Sequence, residues 1–568
     1  MFAVIRYACQ WSRPLVQTIQ VEGAEERNMR LSRLTRSVTG FAVIGLLLGA
    51  CAPPSTTDTT AVATTAGPAT TAADGATTTA APTETTAAAV GGRVIVGRTG
   101  DIDNLDPHLA TAFQTIDALE LVYDTLFELD ANLDIQPGLA ADYSYSDDGT
   151  ELTLNLREGV TFHDGDPFTS ADVVASLERI LDEATGAVGR NFILSIEEIT
   201  APDDMTVVLG LAVADGTLPS VLTRVNTSIM SDASIEAGTV GTEPNGTGPF
   251  DFVEWNQGES VELDTFGDYW GDAPSVEGVS IRVLPEDTSL LAALQAGEIH
   301  IGIITNPAVL EQAAAPLVVE TAPALGYFPF FLNSSRGPLQ EKAVRQAISC
   351  AIDRQQLIDA ALFGNGVETG PYVIGDFASD PWEGLPCDGP DKDLARQLLA
   401  DAGFADGFSI ETIIISGESE ININIGQNLQ AQLAEIGVDL QLEQLETNVY
   451  VDRWLAADFD SALSENGAGP DPHHTYVRYF TSEGVFQNVA GLSSPELDDL
   501  ILQGQTTTDP AARVEIYNQI SQILLDESPW VWLFRGFRTQ VLVPEVEGFI
   551  SHPTGSLKSL RGVTLGSG

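Results

Sequence analysis

The chain has 568 residues, with 81 acidic side chains against 26 basic ones and a formal net charge of −55. A surface this acidic repels the phosphates of nucleic acid and anionic membrane surfaces, which excludes both as direct partners of the folded part. The length exceeds what one hydrophobic core fills, so two or three subdomains are expected.

The chain opens with segments that are not globular. Residues 1–28 read as an upstream extension, with Met29 the expected start. Arg30, Arg33 and Arg36 precede the apolar run Phe41–Leu48. That run falls short of the roughly 20 residues a membrane span needs, and fits the core of a signal peptide. Leu48-Gly49-Ala50-Cys51 resembles the lipobox of bacterial lipoproteins, in which the cysteine thiol is acylated and becomes the new N-terminus. Residues 29–51 are therefore predicted to be a lipoprotein signal peptide, with Cys51 the lipid attachment site. Residues 52–90 are almost purely Ala, Thr and Pro. They cannot bury enough apolar surface to offset ordering entropy, and a disordered tether reaching roughly 35 Å is expected.

Alternating strand and helix patterns begin at Gly91. Val94-Ile95-Val96 reads as a short buried strand. Tyr143-Ser144-Tyr145 and Leu152–Leu156 flank Asp148-Gly149, a strong hairpin signal. Thr169–Asp172 has the form of a helix-starting box, and Val173, Val174, Leu177, Ile180 and Leu181 then share a helical face. Further helical stripes are Val344, Ala347, Ile348, Ala351 and Ile352; Leu394, Leu398 and Leu399, stopped by Gly403; and Ile425, Leu429, Leu433 and Ile436, stopped by Gly437. Val438, Leu440 and Leu442 follow as a strand, which is the grammar of an α/β lobe. A long helix is predicted at about 509–526, then a buried strand over Pro529–Phe534. Beyond Cys51 the chain after the leader carries Cys350 and Cys387. An even pair in an oxidising compartment suggests a disulfide, with two separate buried thiols as the alternative.

Several segments together resemble the family 5 extracytoplasmic solute-binding proteins, which serve peptide, nickel and related ABC importers. They include Leu105-Asp106-Pro107-His108, Tyr123–Phe127, Pro137–Ala140, Leu156–Gly165, Pro167–Val173, Thr247–Phe250, Asp268–Gly271, Val344–Arg354 and Asp471-Pro472. Their order and spacing carry the match over nearly all of residues 92–550. The resemblance implies an α/β fold of the class II periplasmic-binding-protein kind, two-lobed and three-subdomained, with an interlobe cleft. Lobe I would hold 91–325 with an inserted subdomain near 113–240, lobe II would hold 326–530, and 531–568 would return to lobe I as a C-terminal tail. Solute would bind in the cleft and the lobes would close over it.

The resemblance also implies site residues. The stretch after Leu105–His108 lines the cleft in such proteins, which points to Thr111, Ala112 and Phe113. Peptide-binding members carry an ammonium-pairing aspartate ahead of the Asp-Pro pair. Here that position falls on Ala468 or Gly469, with Glu465 or Asn466 where a tryptophan is usual. Glu465 is the expected substitute anion, with Asn466, Gly467 and Ala468 beside it. The departure favours a neutral or differently shaped solute, or a displaced anchor. Among Trp382, Tyr450, Trp454, Trp530 and Trp532, Trp382 is the preferred stacking surface, because its surroundings are loop-like; Trp530 and Trp532 read as packing. His473-His474 read as an exposed loop pair rather than metal ligands.

No nucleophile elbow, phosphate loop or zinc helix motif is present, so no enzyme activity, metal or cofactor is expected. The expected molecule is an extracytoplasmic monomer that captures a small, peptide-like solute for an ABC permease, lipid-anchored to the outer face of the cytoplasmic membrane or in the periplasm. A solute sensor without import and a secreted hydrolase are the alternatives. Cys51→Ser is predicted to move the protein from the membrane pellet to the soluble fraction; a variant that still sediments with membranes contradicts the anchor.

Overall fold

A computed structural model describes residues 91–372, 375–416 and 420–566. The signal peptide, Cys51 and the tether lie outside the described residues. Among those residues, a twelve-stranded sheet runs through both halves of the molecule, and a separate four-stranded antiparallel sheet spans Ala140–Leu211.

The strand Trp530–Leu542 organises the large sheet. Its first part pairs antiparallel with Phe328–Leu332, and its last part with Ile301–Ile303 and Val318–Pro323. Trp530–Phe534 and Thr539–Leu542 are buried, whereas Arg535–Arg538 between them are half-buried. Beyond its first half lie Ser461–Leu463, Phe408–Ser416 and Val438–Glu446; beyond its second lie Val94–Arg98, Gly278–Val283, Ser260–Thr265 and Phe250–Asn256. The sheet is mixed, and in its parallel parts, Val94–Arg98 with Gly278–Val283 and Ile301–Ile303 and Phe408–Ser416 with Val438–Glu446 and Ser461–Leu463, burial on both faces explains apolar runs such as Ile413-Ile414-Ile415. Two cores result. One joins Phe330, Leu332, Ile348, Ile358, Ile414, Leu429 and Leu533; the other joins Val94, Val96, Ile281, Ile301, Leu542 and Leu560.

Local signals place the smaller elements. The strands Ala140–Tyr145 and Glu151–Leu156 meet across Gly149, whose φ of 70° is the left-handed conformation such a turn needs. Thr169 and Asp172 form a reciprocal capping box at the start of the helix Ser170–Leu181. That helix and the four-stranded sheet enclose their own core of Leu152, Leu154, Val173, Leu177, Val207 and Leu209. The helix Pro510–Glu527 leads into the crossing strand through Ser528, which is left-handed at φ 47°.

The C-terminal segment is fastened by buried charge. Lys558 Nζ lies 2.9 Å from Glu128 Oε1, and Arg561 Nη1 lies 3.2 Å from Glu128 Oε2. Burial alone raises Glu128, yet the two cations bring it down to about 2. Burial pushes neighbouring Glu120 up to about 7, although it accepts the Leu557 amide.

The paired histidines differ from expectation. They begin the helix His473–Tyr479 instead of lying on an exposed loop. Asp471, ion-paired with Arg513 at 2.8 Å, accepts the His473 amide, and His474 packs edge-on against Phe192 at 4.9 Å. Burial pushes both rings toward the neutral form. Among the described residues no group of three or more His, Cys, Asp and Glu is placed to hold a metal, and no helix is long and apolar enough to cross a membrane.

A disulfide joins Cys350 to Cys387, with Cα atoms 6.0 Å apart and 37 residues of separation. Closing a loop of that length restricts the unfolded chain by about 3–4 kcal/mol in the chain-entropy model. The double variant Cys350→Ser, Cys387→Ser should therefore lose about 2–4 kcal/mol in denaturant titration. An unchanged midpoint contradicts a stabilising bridge.

Candidate functional site

The two cores stand apart over the half-buried middle of the crossing strand, and the gap is a cavity of about 790 Å³. Its floor is Gly536–Gln540. One wall holds Phe113, Asp117, Glu286, Asp287 and the loop 303–310. The other holds Ala361–Phe363, Asn365, Glu420, Asn424 and Glu465.

Each wall is positioned by contacts that the sequence does not show locally. Asp287 Oδ2 accepts the amides of Thr305 and Asn306 at 3.1 and 2.7 Å, fixing the loop against the helix Asp287–Ala296. Arg98 donates to the Gln114 carbonyl at 2.7 Å, holding the helix Phe113–Leu119 to the first strand. Tyr327 and Asn466 exchange backbone hydrogen bonds of 2.9 and 2.8 Å, which fixes Glu465 at the mouth of the gap. A β-carbon at Gly326 would fall 2.3 Å from Glu465 Oε1, so a larger residue there would turn the Glu465 carboxylate aside.

Four polar atoms of the lining are buried without a hydrogen-bond partner: Asp287 Oδ1, Arg538 Nε, Thr539 Oγ1 and Gln540 Oε1. Natural proteins leave few such atoms, because each carries an unrecovered desolvation cost. They belong to residues that line the cavity, but the atoms themselves lie out of reach of solvent, and Thr539 and Gln540, adjacent on one strand, point to opposite faces of the sheet. Arg538 is the sole cation among the lining residues, set against the carboxylates of Asp117, Glu286, Asp287, Glu420 and Glu465. Its guanidinium lies over the Phe113 ring at 5.6 Å and enters no ion pair within 4.0 Å among the described residues.

Of the residues expected from sequence, the structure brings Phe113 and Glu465 together on this cavity. Thr111 is exposed just before the helix, and Ala112 is the residue that precedes its first turn; neither lines the gap. Asn466 is engaged internally: its amide donates to Tyr327 Oη at 2.9 Å and accepts from Tyr479 Oη at 3.3 Å. Gly467 is exposed and Ala468 packs on the core beside Trp530 and Trp532. Trp382 is occupied elsewhere. Its ring stacks on the buried Arg354 guanidinium at 3.9 Å and its indole donates to Glu368. Asp287, Arg538, Thr539 and Gln540 escaped the sequence reading. The signal for three of them was present: Arg535-Gly536-Phe537-Arg538 interrupts an apolar strand that resumes afterwards.

The model of the bacterial extracellular solute-binding proteins, family 5, middle region, matches residues 134–488. The chain belongs to this family. The glutathione-binding protein GsiB of Escherichia coli O1:K1 is 29% identical over 469 residues, covering 77% of this chain and 88% of that protein. The ABC transporter substrate-binding protein CtaP of Listeria monocytogenes is 27% identical, with a TM-score of 0.74 over 84% of this chain and 100% of that one. The ABC transporter-associated periplasmic binding protein DppA of Helicobacter pylori, solved in complex with the peptide STSA, is 26% identical. Its TM-score is 0.65 over 84% of this chain and 99% of that one. The two-lobed α/β architecture and an extracytoplasmic solute-binding role for ABC transport follow.

The Asp117 carboxyl, half-buried in the cleft wall, is raised by burial and by Glu120 beside it, and the Glu465 carboxyl, exposed at the mouth of the gap, is raised in the same direction by partial desolvation, both against the pull of Arg538. The sign follows from the raised values. Their contribution to stability is complete below the unfolded carboxylate range and is lost as pH rises through the folded values. A solute ammonium favours the charged form, so its affinity runs the other way. Affinity for an ammonium-bearing solute should rise with pH from the ordinary glutamate range upward, and Glu465→Gln should flatten the slope. Titration calorimetry across that range checks both; a slope unaltered by the variant contradicts the assignment.

Proposed function

We propose that this chain is a lipid-anchored capture subunit that takes a short peptide or peptide-like solute into the cavity between its lobes and presents it to an ABC permease. The observation that carries the reading is the charge pattern of the cavity lining, in which the single cation Arg538 is set among the carboxylates of Asp117, Glu286, Asp287, Glu420 and Glu465 around a gap of about 790 Å³. A peptide, with an ammonium at one end and a carboxylate at the other, complements such a lining. The names of the relatives support the same class: one binds glutathione, and another is seen with a tetrapeptide.

In this reading Glu465 meets the solute ammonium, replacing the aspartate expected nearer Ala468, and Arg538 meets its carboxylate. A charge enclosed on closure needs an opposite charge beside it. The lobes divide as 91–325 and 326–530, with 531–568 returning to the first. The hinge is the pair of connections at 323–328 and 534–537. Closure brings the Phe113 and Glu465 walls onto one guest. The molecule acts as a monomer, moored outside the cell through Cys51, with no chemistry of its own.

A panel of di-, tri- and tetrapeptides, γ-linked peptides, sugars and nickel chelates separates the classes in a thermal-shift assay. A peptide at a hundredfold excess over its dissociation constant should stabilise the protein by about 2.7 kcal/mol. Arg538→Gln should weaken that peptide at least tenfold. Stabilisation by sugars or chelates and by no peptide overturns the reading.

A further inference from the structure

The cavity carries two large apolar side chains that the fold leaves in solvent. Phe113 is 66% exposed and Phe363 is 47% exposed, while the other large apolar lining residues are buried or half-buried. The two rings come from different walls. Phe113 begins a helix whose Ala118 and Leu119 enter one core, and Phe363 follows a helix whose Leu357, Ile358 and Leu362 enter the other.

Phe363 is also held in an unfavourable backbone conformation. It caps the helix Arg354–Leu362 at φ 54° and ψ 36°, in the left-handed region where glycine or asparagine is the usual choice. A glycine stands at the next position, Gly364, at φ 82°. Of the four described non-glycine residues with positive φ, Phe363 is the one that lines the cavity. The surroundings fix it there. Its amide donates to the Ile358 carbonyl, the Asn365 amide donates to Leu362 at 2.9 Å, and the Phe537 amide of the cavity floor donates to Asn365 at 3.2 Å. Strain that neighbouring contacts hold in place at a ligand gap is characteristic of a working position.

We infer that Phe113 and Phe363 form an aromatic clamp that selects solutes bearing an apolar side chain, one ring from each lobe closing on it. The inference rests on the peptide reading above and adds which peptides are taken. Exposed rings gain little in the empty state; enclosing a leucine or phenylalanine side chain between them removes apolar surface on both faces from water. An all-alanine peptide reaches the polar anchors and leaves the rings partly wet.

Phe363→Gly and Phe363→Asn test the clamp without endangering the fold, because both residues accept the left-handed conformation. Calorimetry with Ala-Phe-Ala and Ala-Ala-Ala is the readout, with melting temperature as the folding control. Expected are a melting temperature equal to or above that of the parent, at least a tenfold loss of affinity for Ala-Phe-Ala, and less than a twofold change for Ala-Ala-Ala. Parent protein that binds both peptides, with variants that bind Ala-Phe-Ala equally well or lose both peptides alike, overturns the clamp alone. Parent protein that binds neither peptide overturns the peptide reading and the clamp with it.

Discussion

The architecture depends on one strand serving two cores. Trp530–Leu542 is bonded into one lobe by its first residues and into the other by its last, and between them its side chains have no core to enter. An extended strand spans about 3.3 Å per residue, so the four half-buried residues Arg535–Arg538 cover roughly 13 Å of strand between its two buried ends. That gap is the candidate site. The hinge we propose lies at the connections 323–328 and 534–537, where the two lobes are joined.

The lining combines charge and apolar surface: Arg538 is its one cation, among the carboxylates of Asp117, Glu286, Asp287, Glu420 and Glu465. Two aromatic rings lie in solvent on the same gap, one held against its backbone preference. In the proposed reading a guest with terminal charges and an apolar side chain meets both the charged lining and the two rings, and the lobes close over it because contacts with both walls favour the closed form.

Elements ruled by neighbours in sequence were legible before the structure. The Asp148-Gly149 turn, the Thr169–Asp172 box and the glycine stops at Gly403 and Gly437 are local devices, and each stands where its residues point. Site residues depend on contacts across hundreds of positions. Phe113 and Glu465 were reached through resemblance, and the closeness of Gly326 to the Glu465 carboxylate shows only in three dimensions. Asn466 reads as a polar loop residue until Tyr327 and Tyr479 are seen to occupy it. Trp382 reads as a free platform until Arg354 is found beneath its ring. The second half of the crossing strand was overlooked because its arginines break the apolar pattern, and that break is what marks the floor.

Solution X-ray scattering addresses the hinged-capture claim most directly. Recorded on the protein from Gly91 onward, with and without a peptide shown by calorimetry to saturate it, the radius of gyration should contract and the two-lobed profile should sharpen to a single maximum. Saturation with no change in either quantity would contradict capture by closure of two lobes about the Trp530–Leu542 strand.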